Sequence, residues 1–542
     1  MRAAPRVDNA GALRPADWRF LLPGSGDGIY QHLVLLGGPP TLAERLLRDG
    51  IARRVSRDIP ADGLADALVL LRDGSWALPD ALRCLAPGGA FYLEVDRRRP
   101  SRLTWSVRRV ENAVRRAGLT PAASYWVLPG FEAAACYCPL GRPEALHWCL
   151  TALYPATSRL RRLIRWGVQT VLGRRGARTA PPGICFAVTG TAGAACSVPA
   201  PLNASSAERP SASPDLRSVM LTRGSDDFTR VILLPFAPGD RAPQKVLKVG
   251  RFPERNAGTE SEQRVLASIR EALPSDWRTS VPEPLGLARW GALTIGSESC
   301  APGRLLSTTP LGGGQRARAQ LLRELELVTE WLVALHGSGA FPAETWGDAE
   351  LQRWVEAPLA TYAESFGLTA PERELFNLAR ATGAALRGAL VPIVWEHYDL
   401  GPWNVYRDGR HLCVIDWENS TAKPPLADLL YFVMNWSRRA RGVRGGDAEL
   451  RHFQELFCRP GRSDPYLGAA HRAIDTYCRR LSLDPRVYPL ILLRLWVLHA
   501  VGLAARGRIA GDRGRAARGG NRFVDYVGLL ADSPGRWMTE AW

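Results

Sequence analysis

The sequence predicts an α/β domain with a mostly parallel sheet, followed by an α+β unit made of a small sheet lobe and a larger helical lobe. Three observations carry this reading. Residues up to about 190 alternate short apolar strands with helices, the pattern of strands joined by crossover helices. Residues 198–214 (VPAPLNASSAERPSASP) are rich in Pro, Ser and Ala and read as a linker. Beyond them, short strands come first and long amphipathic helices follow. The expected boundaries are 1–197 for the first domain, 198–215 for the linker and 216–542 for the second, with its small lobe at 216–300 and its helical lobe at 301–542. A chain of 542 residues suits two or three domains.

The first domain opens with an apolar strand at 32–36, ended by Gly37-Gly38-Pro39-Pro40. Thr41 is placed to cap a helix through Leu47. A second strand is expected at 65–71, a helix at 78–85 and, after Ala86-Pro87-Gly88-Gly89, a strand at 90–95. Ligands of such sheets bind at the carboxyl ends of the strands.

Composition bounds the function. Formal net charge is +17, and the excess is nearly all Arg, because Lys245, Lys248 and Lys423 are the chain's only lysines. A Lys is therefore a specific choice in this chain. No stacked-aromatic motif or zinc-finger spacing accompanies the charge, so no specific nucleic-acid partner is expected. Residues 158–178 (SRLRRLIRWGVQTVLGRRGAR) space apolar residues helically among arginines. Such a helix can make weak contact with an anionic membrane surface; a packed helix with a solvated Arg face is the favoured reading. The ten cysteines are scattered with no C-x-x-C pair, which fits reduced thiols in a cytoplasmic protein. No apolar leader is read at the N-terminus. The apolar run 488–505 contains Arg494 and His499 and reads as a buried helix.

In the second domain, strands are expected at 218–222, 230–236 and 245–249. Lys248 alternates with Leu247 and Val249, so it faces the other way. A helix at 259–273 carries Glu260 and Glu262. A later helix ends in Trp331-Leu332-Val333-Ala334-Leu335-His336, with His336 read as structural.

The densest chemistry lies at 395–419, WEHYDLGPWNVYRDGRHLCVIDWEN. His397, Asp399 and Asn404 stand at H-x-D-x-x-x-x-N spacing. Val405–Arg407 and His411–Ile415 flank Asp408-Gly409, a signal for a two-residue hairpin turn. A hairpin brings its open ends together, so Asn404 and Asp416 belong at one end, with Asp399 on the loop before it. An amide oxygen beside a carboxylate suits Mg²⁺. The stretch resembles the catalytic loop of the aminoglycoside phosphotransferase and choline kinase family, and more distantly that of protein kinases. There the loop reads H-G-D-x-x-x-x-N and the metal motif I-D-W/F-E; Tyr398 stands where that family has glycine.

The resemblance implies a protein-kinase-like two-lobe fold, ATP and Mg²⁺ as cofactors, and a small-molecule hydroxyl as acceptor. It implies that Asp399 orients or deprotonates that hydroxyl, that His397 supports the loop and that Asn404 and Asp416 hold the metal. Lys248 would hold the α- and β-phosphates and Glu262, or its rival Glu260, would hold Lys248. Gly224 and Ser225 lie in the loop expected over the phosphates, although one glycine and two acids make a poor cradle. Glu298 lies in the hinge segment that holds adenine through backbone groups. Asp428 falls where an acid braces the catalytic loop.

The first domain resembles class I S-adenosylmethionine-dependent methyltransferases in its LAPGGAFYLEV segment and in Ala117-Gly118-Leu119. It departs from them at Gly37-Gly38-Pro39-Pro40, where each proline removes an N–H from the cofactor loop. A degenerate, Rossmann-like domain is therefore expected, with S-adenosylmethionine bound weakly or not at all. The alternatives to an ATP-dependent phosphotransferase are a nucleotide-binding pseudokinase or scaffold, and a methyltransferase with an accessory kinase-like domain.

Overall fold

The computed structural model describes residues 14–24, 28–61, 64–72, 77–97, 105–153, 185–193, 198–206, 216–222, 229–308, 314–459, 464–509 and 518–534. Gly224, Ser225 and the basic stretch 158–178 lie outside the described residues. Contacts divide the chain into two compact units. The first holds Met1–Gln263 and Pro284–Cys300; the second holds Arg264–Glu283 and Ala301–Trp542.

The first unit is built on one twelve-stranded sheet. Its strands are β1 (Tyr30–Leu36), β2 (Ala52–Ser56), β3 (Ala65–Leu70), β4 (Leu85–Asp96), β5 (Thr120–Leu128), β6 (Cys136–Pro139), β7 (Cys185–Thr191), β8 (Arg217–Leu221), β9 (Val231–Phe236), β10 (Val246–Val249), β11 (Pro284–Trp290) and β12 (Leu293–Glu298). Their order is β11-β12-β10-β9-β8-β6-β5-β7-β4-β3-β1-β2. Parallel pairing is confined to β2-β1-β3-β4. From β4 to β11 every pairing is antiparallel. The mostly parallel sheet read from the sequence is thus corrected to a mixed one. Helices Pro40–Arg48 and Leu78–Arg83 follow β1 and β3 and supply crossovers, whereas returns such as the one from β5 to β6 are too short to do so. β2, reading ARRVS, has no apolar run to announce it.

The sheet does not stop at the expected linker. β6 pairs with β8, Cys136 opposite Leu221 and Tyr137 opposite Met220, so strands from both expected domains share one ladder. One apolar core accordingly contains Leu33, Ala187, Leu202, Leu247 and Ile295. The linker reading is also corrected at its start. Ala200–Ser206 is helical, and Val198, Ala200 and Leu202 are buried. Three apolar residues at i, i+2 and i+4 were enough to bury a segment that composition alone marks as loose. The rest of the expected linker, 207–215, lies outside the described residues. Asp17, near the N-terminus, forms a two-point ion pair with Arg251 just beyond β10, at 2.7 and 2.9 Å.

The second unit is mainly helical. Its core draws on helices Gln315–His336, Ala427–Ala440, Pro465–Arg480, Val487–Ile509 and Arg522–Ala531. Val487–Ala505 is long and apolar enough to cross a membrane, and most of it is buried inside this unit. The expected hairpin is present, with strands Val405–Asp408 and His411–Val414. Its turn is one residue later than expected. Asp408 pairs with His411, so the two turn residues are Gly409 and Arg410. Gly409 supplies the positive φ, 59°, at the first turn position. The nine cysteines among the described residues form no disulfide.

Candidate active site

The lysine side of the expected site lies in the first unit. Strand alternation sends Leu247 and Val249 into the core and Lys248 to the opposite face, where it is 5% exposed. Its Nζ meets Glu262 Oε1 at 2.7 Å and Glu298 Oε1 at 2.8 Å. Arg230 binds the other oxygen of Glu262. Glu260, the rival for Lys248, instead pairs with Arg289 at 3.0 Å and accepts the Thr294 hydroxyl at 3.1 Å.

The result is a closed cluster of two cations and two carboxylates, all nearly out of solvent. Burial pushes Glu262 up, but Lys248 and then Arg230 outweigh it and hold its carboxyl at about 2. Burial dominates at Glu298, which has the lysine alone as close partner, and lifts it to about 7. The two carboxylates differ because one has two cations and the other has a share of one. Glu298 was expected to matter through its backbone; its side chain is the second anion on Lys248. Arg230 is the member that the sequence reading missed.

The catalytic-loop side lies in the second unit and is built around the hairpin's open end. Ile415 N–H donates to Asn404 O at 2.9 Å, so Asn404 and Asp416 leave the hairpin side by side. Asn404 is buried, and its amide N–H₂ donates to Asp399 O at 2.9 Å and to Asp399 Oδ2 at 3.2 Å. That orientation leaves the amide oxygen as a ligand atom. Asp416 holds a left-handed backbone, φ 71°. Asp399 is half-buried, and Trp403 Nε1–H donates to its Oδ2 at 3.3 Å. Burial raises its pKa, with Asp416 adding to the rise and His397 and the Trp403 N–H opposing it.

His397 is fully buried. Its Nε2–H donates to Ile415 O at 2.8 Å while Nδ1 accepts Asp399 N–H at 3.3 Å. One imidazole thus ties the loop to the hairpin's exit. The loop is held from beneath by carboxylates. Asp428 accepts His397 N–H at 2.5 Å and Tyr398 N–H at 2.7 Å, while Glu396 accepts Ala427 N–H at 3.1 Å and Asp428 N–H at 2.7 Å. Loop and helix each present an acid to the other's backbone. Burial, then the facing Asp428, pushes Glu396 well above its usual carboxylate pKa. His336 donates to Trp395 O at 2.9 Å and meets the Tyr477 hydroxyl through its other nitrogen. Although His336, Glu396 and Asp428 present ligand-type atoms within 4.8 Å of one another, each atom already has a partner, which makes the group a brace.

Tyr398 adopts φ 72°, a left-handed conformation that glycine takes freely and tyrosine does not. The two Asp428 bonds impose it. The ring stacks on His499 at 5.1 Å and 7°, and His499 stacks in turn on Tyr431 at 4.6 Å and 7°. The Tyr431 phenol interacts with Asp399, helping to oppose the rise of the Asp399 pKa. Glu396, Trp403, Tyr431 and His499 went unassigned in the sequence, since nothing in their spacing tells a loop support from an ordinary core residue.

Residues 237–464 match the family described as "Phosphotransferase enzyme family". This part of the chain is a phosphotransferase domain. Solved structures similar to the chain include a protein of Ralstonia eutropha JMP134 described as a candidate aminoglycoside phosphotransferase, at 18% identity, covering 60% of this chain and 97% of that one, TM-score 0.39. Others are a thermostable mutant of aminoglycoside phosphotransferase APH(4)-Ia (17% identity, 58% and 92% covered, TM-score 0.36) and a glucosamine kinase (16%, 60% and 96%, TM-score 0.34). No curated protein matches the chain.

Proposed function

We propose that this chain is an ATP-dependent kinase that moves the γ-phosphoryl group to a hydroxyl of a small molecule, a sugar, amino alcohol or aminoglycoside-like compound. One observation carries the reading. Asp399, Asn404 and Asp416 converge at the open end of one hairpin, and hydrogen bonds fix Asp399 to Asn404. Asp399 takes the proton of the acceptor hydroxyl as its oxygen bonds to the γ-phosphorus. The bond from that phosphorus to the β–γ bridging oxygen breaks, and ADP leaves. A carboxylate whose pKa is raised by burial is a better base than an exposed one. Asn404 and Asp416 offer hard oxygen donors and would hold Mg²⁺, which when bound supplies charge neutralisation at the phosphates. His397 and Asp428 keep the loop in register. Lys248 is assigned to the α- and β-phosphates, held by Glu262.

The test is ADP release by the purified chain with ATP across a panel of hydroxyl compounds. Release that requires both Mg²⁺ and a particular acceptor supports the reading. Turnover indifferent to the acceptor, or none with any, sinks it. The scaffold reading draws on one observation: Glu298 already occupies the position beside Lys248 that a phosphate would need.

For the strands of 1–197 we infer a degenerate methyltransferase-like domain that does not bind S-adenosylmethionine. A Cβ built on Gly38 (φ 75°) would lie 2.6 Å from Leu71 Cδ1, so the chain's own core fills the space beside this glycine. Calorimetry of the full chain with S-adenosylmethionine should show no heat; micromolar binding would overturn this.

A further inference from the structure

Lys423 ends the short strand Thr421–Lys423, which pairs with Val394–Glu396 on the way into the catalytic loop. Its ammonium sits 4.0 Å over the Tyr398 ring. Arg494 lies on the Val487–Ile509 helix, 7% exposed, with its guanidinium 4.9 Å from the Trp354 ring. Among the described residues, neither head group forms an ion pair or a hydrogen bond, and Arg494 Nε is buried without a partner. Ring faces are their contacts. A withdrawn cation held by aromatic faces alone is costly, because burial removes its water and no anion replaces it.

The nearby acids offer these cations no open oxygen. Lys423 feels Glu396 and Asp428, and Arg494 feels the Tyr398 phenol and Glu396. All four carboxylate oxygens of Glu396 and Asp428 already accept backbone N–H groups. The cations also repel each other: burial first, then Arg494, lowers Lys423 to about 8.

We propose that Lys423 and Arg494 form an anion-binding subsite of the acceptor pocket, taking a carboxylate or phosphate monoester carried by the molecule whose hydroxyl Asp399 activates. The subsite is continuous with the catalytic loop. From Asp399 the path runs through Tyr431, His499 and Tyr398, three rings stacked within 7° of parallel, and ends at Lys423. In the proposed arrangement the acceptor spans the length of this ring stack, with its hydroxyl at the Asp399 end and its anion at the Lys423 end. A polycationic acceptor would meet two like charges there, which removes aminoglycoside-like compounds from the candidates. Tyr398 gains a reason to occupy a glycine-type conformation, since its ring carries the lysine on one side and stacks on His499.

This assignment rests on the kinase reading, and the experiment separates the two. Binding is measured first, as thermal stabilisation of the full chain by inorganic phosphate against chloride at equal ionic strength. Wild type is expected to gain stability, and Lys423→Met and Arg494→Met each to lose most of the gain, while Lys423→Arg keeps it. Two variants on different elements guard against one failing to fold. Turnover is measured second, on matched acceptors: a hydroxy acid against its methyl ester, and a sugar phosphate against the free sugar. The anionic member is expected to have at least a tenfold higher kcat/KM, a margin that shrinks toward one in both Met variants. Whichever pair shows the margin identifies carboxylate or phosphate. Equal phosphate response in wild type and both variants, or acceptor turnover with no preference for charge, overturns the subsite and leaves the kinase standing. Phosphate binding that depends on Lys423 and Arg494 without turnover of any acceptor leaves the subsite standing and removes the kinase reading. Loss of ATP affinity in both Met variants equal to the loss of phosphate response assigns the cations to the nucleotide and overturns the proposal.

Discussion

Lys248 and Lys423 are both withdrawn from water, yet Lys248 touches two carboxylates and Lys423 touches a ring face. In the first unit, strand and helix supply every charge the cluster needs, and the lysine is locked at 2.7 and 2.8 Å. In the second unit the acids near Lys423 are spent on backbone N–H groups of the catalytic loop and of the helix Ala427–Ala440, and among the described residues the cations have no anion of their own. A cation paired internally holds architecture, and a ligand must compete for it. A cation left to aromatic faces gains its partner only when a ligand arrives. On the proposed reading the reacting groups and acceptor recognition belong to the second unit, and each experiment below strains the contrast at a different point.

The largest effect is expected at Asp399. Asp399→Asn keeps the shape and the Trp403 contact but cannot take a proton, so kcat should fall by ~10²–10⁴ or more with nucleotide affinity nearly intact. Asp416→Asn should lose rate together with apparent Mg²⁺ affinity. Steady-state kinetics over a range of Mg²⁺ distinguishes them. Identical turnover in Asp399→Asn and wild type would remove chemistry from the loop and leave a scaffold.

Next in size is Lys248→Met. It leaves Glu298 buried beside no cation and Glu262 with Arg230 alone, and breaking such a buried pair typically costs ~3–5 kcal/mol. Denaturant titration of the full chain should show the loss in the transition of the first unit. A cost below about 1 kcal/mol would mean that the cluster is not the lock described here.

Much of this was legible in the sequence, for identifiable reasons. The hairpin announced itself through Asp408-Gly409; the turn formed one residue later moves each cross-strand partner by two and sets Asn404 opposite Ile415, beside Asp416. The pairing of Lys248 with Glu262 followed from strand alternation plus one helical turn. Other parts were illegible for physical reasons. That β6 bonds to β8 depends on edges more than seventy residues apart in the chain, and neither strand's composition names its neighbour. Val198, Ala200 and Leu202 look like linker residues until a core is present to receive them. Lys423 was readable in principle: the scarcity of lysine that draws the eye to Lys248 applies to it equally. What the sequence could not show is that the surrounding acids are occupied.

A smaller effect is expected from a group that neither pairs nor binds ligand. Burial drives His336 down to about 3, so the folded chain refuses the proton that the unfolded chain accepts below about 6.5. Its contribution is therefore present above pH 6.5 and lost as pH falls toward 3. Wild type should exceed His336→Gln in stability at pH 7 through the bonds to Trp395 and Tyr477. That margin should narrow by up to about 1.4 kcal/mol per pH unit below 6.5. A margin constant from pH 7 to 5, measured by denaturant titration, would place the proton elsewhere.

The smallest effect on stability, and the one of opposite sign, belongs to Lys423→Met. The lysine forms no ion pair among the described residues, so its removal orphans no carboxylate. It forfeits a cation–π contact worth ~0.5–2 kcal/mol and relieves the cost of withdrawing an ammonium from water. These terms oppose each other, and at pH 7 without added anion the variant should lie within about 1 kcal/mol of wild type or above it. The pH dependence sharpens the point. Lys423 has its pKa lowered from 10.5 to about 8, so between those values the unfolded chain holds a proton that the folded chain has released. Stability contributed at this site therefore rises with pH through that window. Lys423→Met should lack the rise, so wild type should gain on the variant from pH 8 toward 10. Added inorganic phosphate at pH 7 should stabilise wild type alone. A loss comparable to that of Lys248→Met, in the absence of any anion, would show that Lys423 has an internal partner, and the distinction between the two lysines would collapse.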